Sequence, residues 1–204
     1  MRIPWRPSVV SCLALAAAAG VTAACSGFRN EARYGPASPR VADPKQPIPK
    51  GGGAYKLGAP YQIDGRWYVP QEEPGYDRTG LASFYAEDFH GRRTSNGEIF
   101  DMWALTAAHP TLPLPSLAYV TNLENGRTLL VRLNDRGPYV NNRVIDLSRA
   151  TARYLGVEGP GLARVRVRYA GPAPLSGDDR PEQRFLASQP WFQIRLARGP
   201  NDSR

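Results

Sequence analysis

Thr128-Leu129-Leu130-Val131-Arg132-Leu133 runs directly into Asn134-Asp135-Arg136-Gly137-Pro138, and the reading of the fold turns on this stretch. Leu129, Val131 and Leu133 alternate with Thr128, Leu130 and Arg132, which predicts a strand with one apolar face and one mixed face. The alternation stops at an acidic residue beside Gly and Pro, a loop position from which a side chain can face a cleft. Two other clusters carry titratable groups, Gly97-Glu98 and Thr106-Ala107-Ala108-His109, and His109 is one of only 2 histidines. Acid–base chemistry needs such groups held near one another. Spacing alone leaves a second reading open, in which Asp135 and Arg136 form a turn-stabilising ion pair, Glu98 is solvated and His109 caps a strand.

Outward from this strand, Asn125-Gly126 marks a turn back to Leu117–Asn122, and Leu81–Tyr85, Ala104–Ala108 and Val144–Leu147 read as further short strands. Leu162–Tyr169 closes the set, with Val165 and Val167 facing in. One short helix is expected, with Ser148 as N-cap, Ala150–Leu155 as its body and Gly156 at C′. Six or so short strands with Gly/Pro turns and a single helix favour a mainly β, compact barrel over an α/β fold. The barrel is assigned to residues 79–171. Ahead of it, Tyr61-Gln62-Ile63 and Arg66-Trp67-Tyr68-Val69 flank Asp64-Gly65, a hairpin signal that makes 55–78 a small β-arm packed on the barrel. Residues 25–54 are rich in Pro and Gly and read as a disordered tether. Residues 172–204 read as a polar, Pro-rich tail with one apolar patch at Pro190–Leu196 that could dock on the barrel or on a partner.

Residues 1–24 have the form of a secretory leader, with a basic start through Arg2 and Arg6 and an apolar stretch from Val9 to Val21. The leader ends in Val21-Thr22-Ala23-Ala24-Cys25, similar to a bacterial lipobox except for Thr22, so Cys25 is expected to be lipidated and to anchor the chain to a membrane. Ordinary cleavage would instead leave an exposed free thiol. Because Cys12 lies inside the leader, the mature chain has no cysteine pair and depends on its hydrophobic core. Ser26, where an inner-membrane lipoprotein often carries Asp, favours the outer membrane.

The formal net charge is +8, of which Arg2 and Arg6 would leave with the leader, and the excess suits an anionic envelope partner. Nucleic acid is not expected in that compartment, and the basic residues are scattered rather than striped. No metal and no cofactor are expected: the 2 histidines have no metal-ligand spacing, and there is no Cys pair and no phosphate loop. No G-x-S-x-G elbow is present and no catalytic Cys survives maturation. Carboxylate-centred chemistry remains, and glycoside cleavage is its natural class.

Gly80–Tyr85, Phe89–Asp101, Leu105–Leu112 and Val131–Tyr139 followed by Arg143–Ser148 closely resemble rare lipoprotein A, over roughly Tyr55–Gly171. That family consists of lipoproteins with a six-stranded double-psi β-barrel, related to the expansins. The resemblance implies lytic transglycosylase action on peptidoglycan glycan strands, favouring strands stripped of stem peptides, with a role in wall organisation and daughter-cell separation. It places the functional residues at Glu98, His109 and Asp135. Asp135 would give its proton to the glycosidic oxygen and then take one from the C6 hydroxyl, closing a 1,6-anhydro ring. Glu98 and His109 would tune or position Asp135 or hold substrate, a neighbouring carboxylate raising the pKa of the acid. Asn134, Arg136, Phe84 and Tyr85 are the implied substrate contacts. Arg136 could meet a lactyl carboxylate or pair with Asp146, Phe84 and Tyr85 could stack on a sugar or be buried, and His90 reads as structural or peripheral. The stretch after Gly171 is too short for the complete SPOR domain many relatives carry, which puts septal targeting in doubt. A non-catalytic, expansin-like glycan binder and a purely structural lipoprotein contacting envelope or division proteins are the competing readings.

Overall fold

The protein is described by a computed structural model over residues 38–43, 45–140 and 142–198, with side chains up to residue 194. The leader, Cys25 and the first part of the tether lie outside the described residues. Among the described residues, eight strands and three helices follow in chain order: β1 (Tyr61–Ile63), β2 (Arg66–Tyr68), β3 (Asp77–Tyr85), β4 (Thr106–Ala108), β5 (Ser116–Asn122), β6 (Thr128–Asp135), β7 (Arg143–Ser148), α1 (Arg149–Leu155), β8 (Ala163–Pro172), α2 (Arg180–Ser188) and α3 (Pro190–Arg198). No described helix is long and apolar enough to cross a membrane.

β3 to β8 close into a barrel in the order β3-β7-β4-β6-β5-β8. Two of its pairings, β3 with β7 and β4 with β6, are parallel, and the others are antiparallel. Parallel neighbours cannot be joined by a tight turn, so residues distant in sequence come to stand side by side. Alternation fills the interior. Val165 and Val167 point in, Arg164, Arg166 and Arg168 point out, and Ala82, Val120, Leu129, Val131, Leu133, Ile145 and Leu147 complete a core with no solvent exposure. β3 begins at Asp77, two residues before the barrel boundary read from sequence.

The hairpin forms at Asp64-Gly65, whose φ values of 49° and 77° are those of the primed turn such a sequence favours. Ser148 caps α1 by accepting from the Thr151 amide, and Gly156 closes the helix in the left-handed conformation at φ 78°.

Two stretches differ from the sequence reading. The described part of the tether lies along the barrel: the Val41 and Ala42 amides donate to Gly91 O and the Ala54 amide donates to Asn96 O. A Cβ on Gly53 would meet Glu98 Cγ at 2.8 Å, so the strap can approach the barrel this closely only as glycine. The stretch after residue 172 is helical. Phe185 of α2 meets Tyr119, and Phe192 of α3 meets Tyr154. With Glu182 and Leu186 of α2 also buried, the outer face of β6 is covered, and Thr128 and Asp135 at its ends are its only residues that are not buried. Helical spacing of Phe185, Leu186 and Gln189 was obscured by the flanking prolines at 181 and 190.

Candidate functional site

The two parallel pairings build one row of side chains across four strands. Ser83 on β3 pairs with Asp146 on β7, Asp146 pairs with Ala108 on β4, and Ala108 pairs with Asp135 on β6. The neighbouring row, Phe84, Leu147, Ala107 and Leu133, is apolar, and the last three of its residues are fully buried. The register shifts between Ala107 and Ala108, passing over Asn134, so that Asp135 and not Asn134 stands beside Ala108. An extra residue in a strand re-aims the side chains that follow it. Ser83, Ala108, Asp135 and Asp146 all line one open cleft of about 520 Å³.

Asp135 Oδ1 accepts from the Ser95 amide at 2.8 Å, the Ser95 hydroxyl at 2.6 Å and the Arg136 amide at 2.8 Å. Its Oδ2 takes no hydrogen bond from the described residues. Burial raises the pKa of this carboxyl above its ordinary value, against the Ser95 and Arg136 hydrogen bonds that pull it down. Gly137 follows Asp135 and Arg136 at φ 130°, a conformation open to glycine, and a Cβ there would lie 3.9 Å from Ala108 Cβ at the cleft floor.

Asp146 is the second carboxylate of the cleft. It accepts from the Ser83 hydroxyl at 2.6 Å and from Arg143 Nη2 at 3.2 Å, and burial raises its pKa despite both donors. Its ion-pair partner is therefore Arg143 and not Arg136. Arg136 donates instead to the carbonyls of His109 (3.2 Å), Leu112 (2.6 Å) and Leu57 (2.7 Å), which ties the start of the β-arm to the floor beside Asp135. The lactyl contact assigned to Arg136 would have to compete with these carbonyls.

Tyr85 lines the cleft and packs into an aromatic cluster. Its ring stacks on Phe100 at 4.3 Å between centroids and meets Phe89 edge-on at 5.7 Å. Its hydroxyl is buried with no partner among the described residues. Burial, and then the charges of Asp135 and Asp146, push its pKa well above the ordinary value, so the hydroxyl stands in the field of both carboxylates. Phe84 packs against the core from the rim of the cleft.

Glu98 and His109 are not in the cleft. Glu98, 4% exposed, is gripped bidentately by Arg132 and also accepts from Asn134 Nδ2 and Asn96 Nδ2, each at 3.0 Å. Burial alone would raise its pKa, but these donors outweigh it and hold the carboxyl below its ordinary value. It borders a separate small cavity of about 50 Å³ with Asn134 and Glu182. The expectation that Glu98 raises the pKa of Asp135 is thus replaced by desolvation of Asp135 itself. The His109 ring, 1% exposed, accepts at Nδ1 from the amides of Thr111 (3.2 Å) and Leu112 (3.0 Å). Nε2 therefore carries the proton and donates to the Tyr76 hydroxyl at 2.9 Å. Burial, with the charge of Arg136, pushes its pKa down to about 3 and keeps the ring neutral. Only its backbone touches Asp135, the His109 amide donating to Asp135 O at 3.0 Å. His90 is buried and accepts from the Met102 amide, away from the cleft.

The residues that sequence reasoning missed are Ser83, Ser95 and Asp146. Asp146 carried a usable signal, a charge set between the apolar Ile145 and Leu147 within a strand. Among the described residues no group of three or more His, Cys, Asp and Glu is placed to hold a metal.

A closed six-stranded barrel with two parallel pairings, and a cleft floored by carboxylates at one end of it, define the chain as a double-psi β-barrel protein. Residues 77–167 match the family described as lytic transglycolase. The endolytic peptidoglycan transglycosylase RlpA of Pseudomonas aeruginosa is 50% identical over 114 residues, 55% of this chain and 33% of that protein. The RlpA proteins of Neisseria meningitidis (48% over 113 residues, 55% of this chain and 47% of that one) and Rickettsia bellii (44% over 120 residues, 57% and 53%) are similar in the same way. The chain spans about a third to a half of the length of these relatives.

Proposed function

We propose that this chain is an endolytic peptidoglycan lytic transglycosylase with Asp135 as its acid. The observation that carries this reading is a desolvated carboxyl with one oxygen fixed by three donors and the other unclaimed, at the floor of an open cleft. A carboxyl whose proton is retained above the ordinary range can deliver it to a glycosidic oxygen near neutral pH. As the bond to the leaving sugar breaks, positive charge develops at the muramyl anomeric carbon. The C6 hydroxyl of that sugar then closes on the carbon and gives up its proton to a carboxylate of the site, leaving a 1,6-anhydro end without consuming water. Glu98 and His109 act here as positioning residues: Glu98 fixes Arg132 and Asn134 on β6, and His109 fixes the loop and backbone beside Asp135.

The names of the relatives support peptidoglycan as substrate and the cell envelope as the place of action. Preference for strands without stem peptides, and lipidation of Cys25 that holds the barrel at the periplasmic face of the outer membrane, belong to the same proposal. The test is digestion of purified glycan strands, with and without stem peptides, by wild type and Asp135→Asn, read by mass spectrometry. Anhydro-ended products from wild type alone support the reading. Reducing ends would make the protein a hydrolase, and binding without cleavage by both would make it a glycan-binding module. Loss of membrane association in Cys25→Ala checks the anchor.

A further inference from the structure

The transfer needs an acceptor for the proton of the C6 hydroxyl, and the cleft holds a carboxylate with no part in the proton donation. Asp146 and Asp135 rise from the same sheet row with only Ala108 between them. Neighbouring strands are about 4.8 Å apart, so the two aspartate backbones are about 10 Å apart, and equal side chains on one face carry that spacing upward. Carboxyl groups about 5 Å apart leave no room for a nucleophile between the base and the anomeric carbon, whereas a separation above about 6.5 Å does leave room. Ala108 keeps the gap between them clear, and Gly137 keeps its side of the floor bare.

Both carboxylates are held alike, each by a serine hydroxyl at 2.6 Å, Ser95 for Asp135 and Ser83 for Asp146. The unpartnered Tyr85 hydroxyl stands in the field of both. A buried hydroxyl without a partner loses hydrogen-bond energy unless something enters the cleft to supply one. We propose that Asp146 is the general base of the transfer, taking the proton of the substrate's attacking hydroxyl across Ala108 from Asp135, with Tyr85 donating to the sugar between them. This assignment rests on the transglycosylase reading above.

The step balances without a co-reactant. The Asp135 proton goes to the leaving oxygen as the C1–O4 bond breaks, the C1–O6 bond forms, and the O6 proton passes to Asp146. Asp135 ends ionised and Asp146 protonated, and exchange with solvent through the open cleft resets both. The groups around Asp146 are Ser83 and Tyr85 on β3, Arg143 on β7 and Asp135 on β6, with Glu87 and Asp88 on the cleft rim. Asp146 must be ionised and Asp135 protonated, so activity rises with pH on the Asp146 limb and falls on the Asp135 limb.

The test uses wild type, Asp146→Asn and Ser83→Ala on purified glycan strands, measuring kcat, KM and the pH profile of anhydro-product formation, with a thermal melt of each. For Asp146→Asn we expect kcat to fall at least about 100-fold with KM little changed, and the residual activity to lose the rising acid limb. Ser83→Ala removes one donor that holds the Asp146 pKa down, so its acid limb should move to higher pH with kcat reduced about tenfold. That variant carries the test if Asp146→Asn does not melt cooperatively. A kcat within threefold of wild type with an unmoved acid limb, in whichever variant folds, overturns the assignment. Absence of cleavage by wild type overturns instead the transglycosylase reading on which it rests.

Discussion

The barrel holds two carboxylate centres, within and beside the same strand, and they are built in opposite ways. On the covered face of β6, Glu98 has its oxygens taken up by Arg132, Asn134 and Asn96, beside a cavity of about 50 Å³. At the end of β6, Asp135 keeps one oxygen unclaimed and shares a cleft of about 520 Å³ with Asp146 and an unpartnered tyrosine hydroxyl. Donors on every lone pair hold a carboxylate ionised and rigid, which suits a structural clamp. Desolvation with incomplete pairing keeps a proton available, which suits chemistry. The contrast shows two ways of holding a carboxylate in this barrel, with every oxygen paired at Glu98 and with one oxygen left open to a cleft at Asp135.

The sharpest way to break this contrast is Asp135→Asn, which should lower turnover about 10²- to 10⁴-fold while the melting temperature stays within a few degrees. If turnover survives, the cleft centre is not the acid. Arg132→Met should do the reverse. It strands Glu98 as an uncompensated buried charge and should cost about 3–5 kcal/mol in denaturant unfolding, with part recovered by adding Glu98→Gln. A loss of activity there without a loss of stability would place Glu98 among the reacting groups.

A third, intermediate effect comes from His109. Its folded pKa of about 3 lies below the unfolded value of about 6.5, so its contribution to stability is whole above about pH 6.5 and is lost as pH falls toward 3. That loss should approach about 1.4 kcal/mol per pH unit, and His109→Gln should remove it from the pH–stability curve. The smallest effect expected is that of Tyr85→Phe, about a five- to tenfold loss of turnover with no loss of stability, since its hydroxyl has no partner in the fold to lose. A destabilised Tyr85→Phe with normal turnover would return this side chain to the scaffold.

Much of the barrel was legible along the chain because its signals are local. The alternation in 128–133, the inward Val165 and Val167, the Asp64-Gly65 turn and the Ser148 and Gly156 caps each depend on a few adjacent residues, and each appears as read. The two terminal segments were less legible. Pro and Gly between residues 44 and 53 suggested a free tether, yet the same glycines permit close approach to Glu98 and Ser176. The prolines flanking α2 and α3 hid an apolar face that exists only when laid on Tyr119 and Tyr154. In the site, Glu98, His109 and Asp135 were all recognisable as titratable groups in loops or at strand ends. Nothing in their spacing said that one would face a cleft and the other two would be locked inside.

What the sequence determined by itself was therefore the strands, the arm, the capped helix and, through its resemblance, the kind of barrel. What only the tertiary structure decided was which carboxylates share a cleft. Ser83, Asp146, Ala108 and Asp135 form one row because parallel pairing joins strands up to 63 residues apart, and a single register shift turns Asp135 rather than Asn134 toward Ala108. Local composition sets which side chains alternate. Only closure of the barrel sets which of them meet, because pairing between distant strands is fixed by the burial of the whole interior and by no one segment.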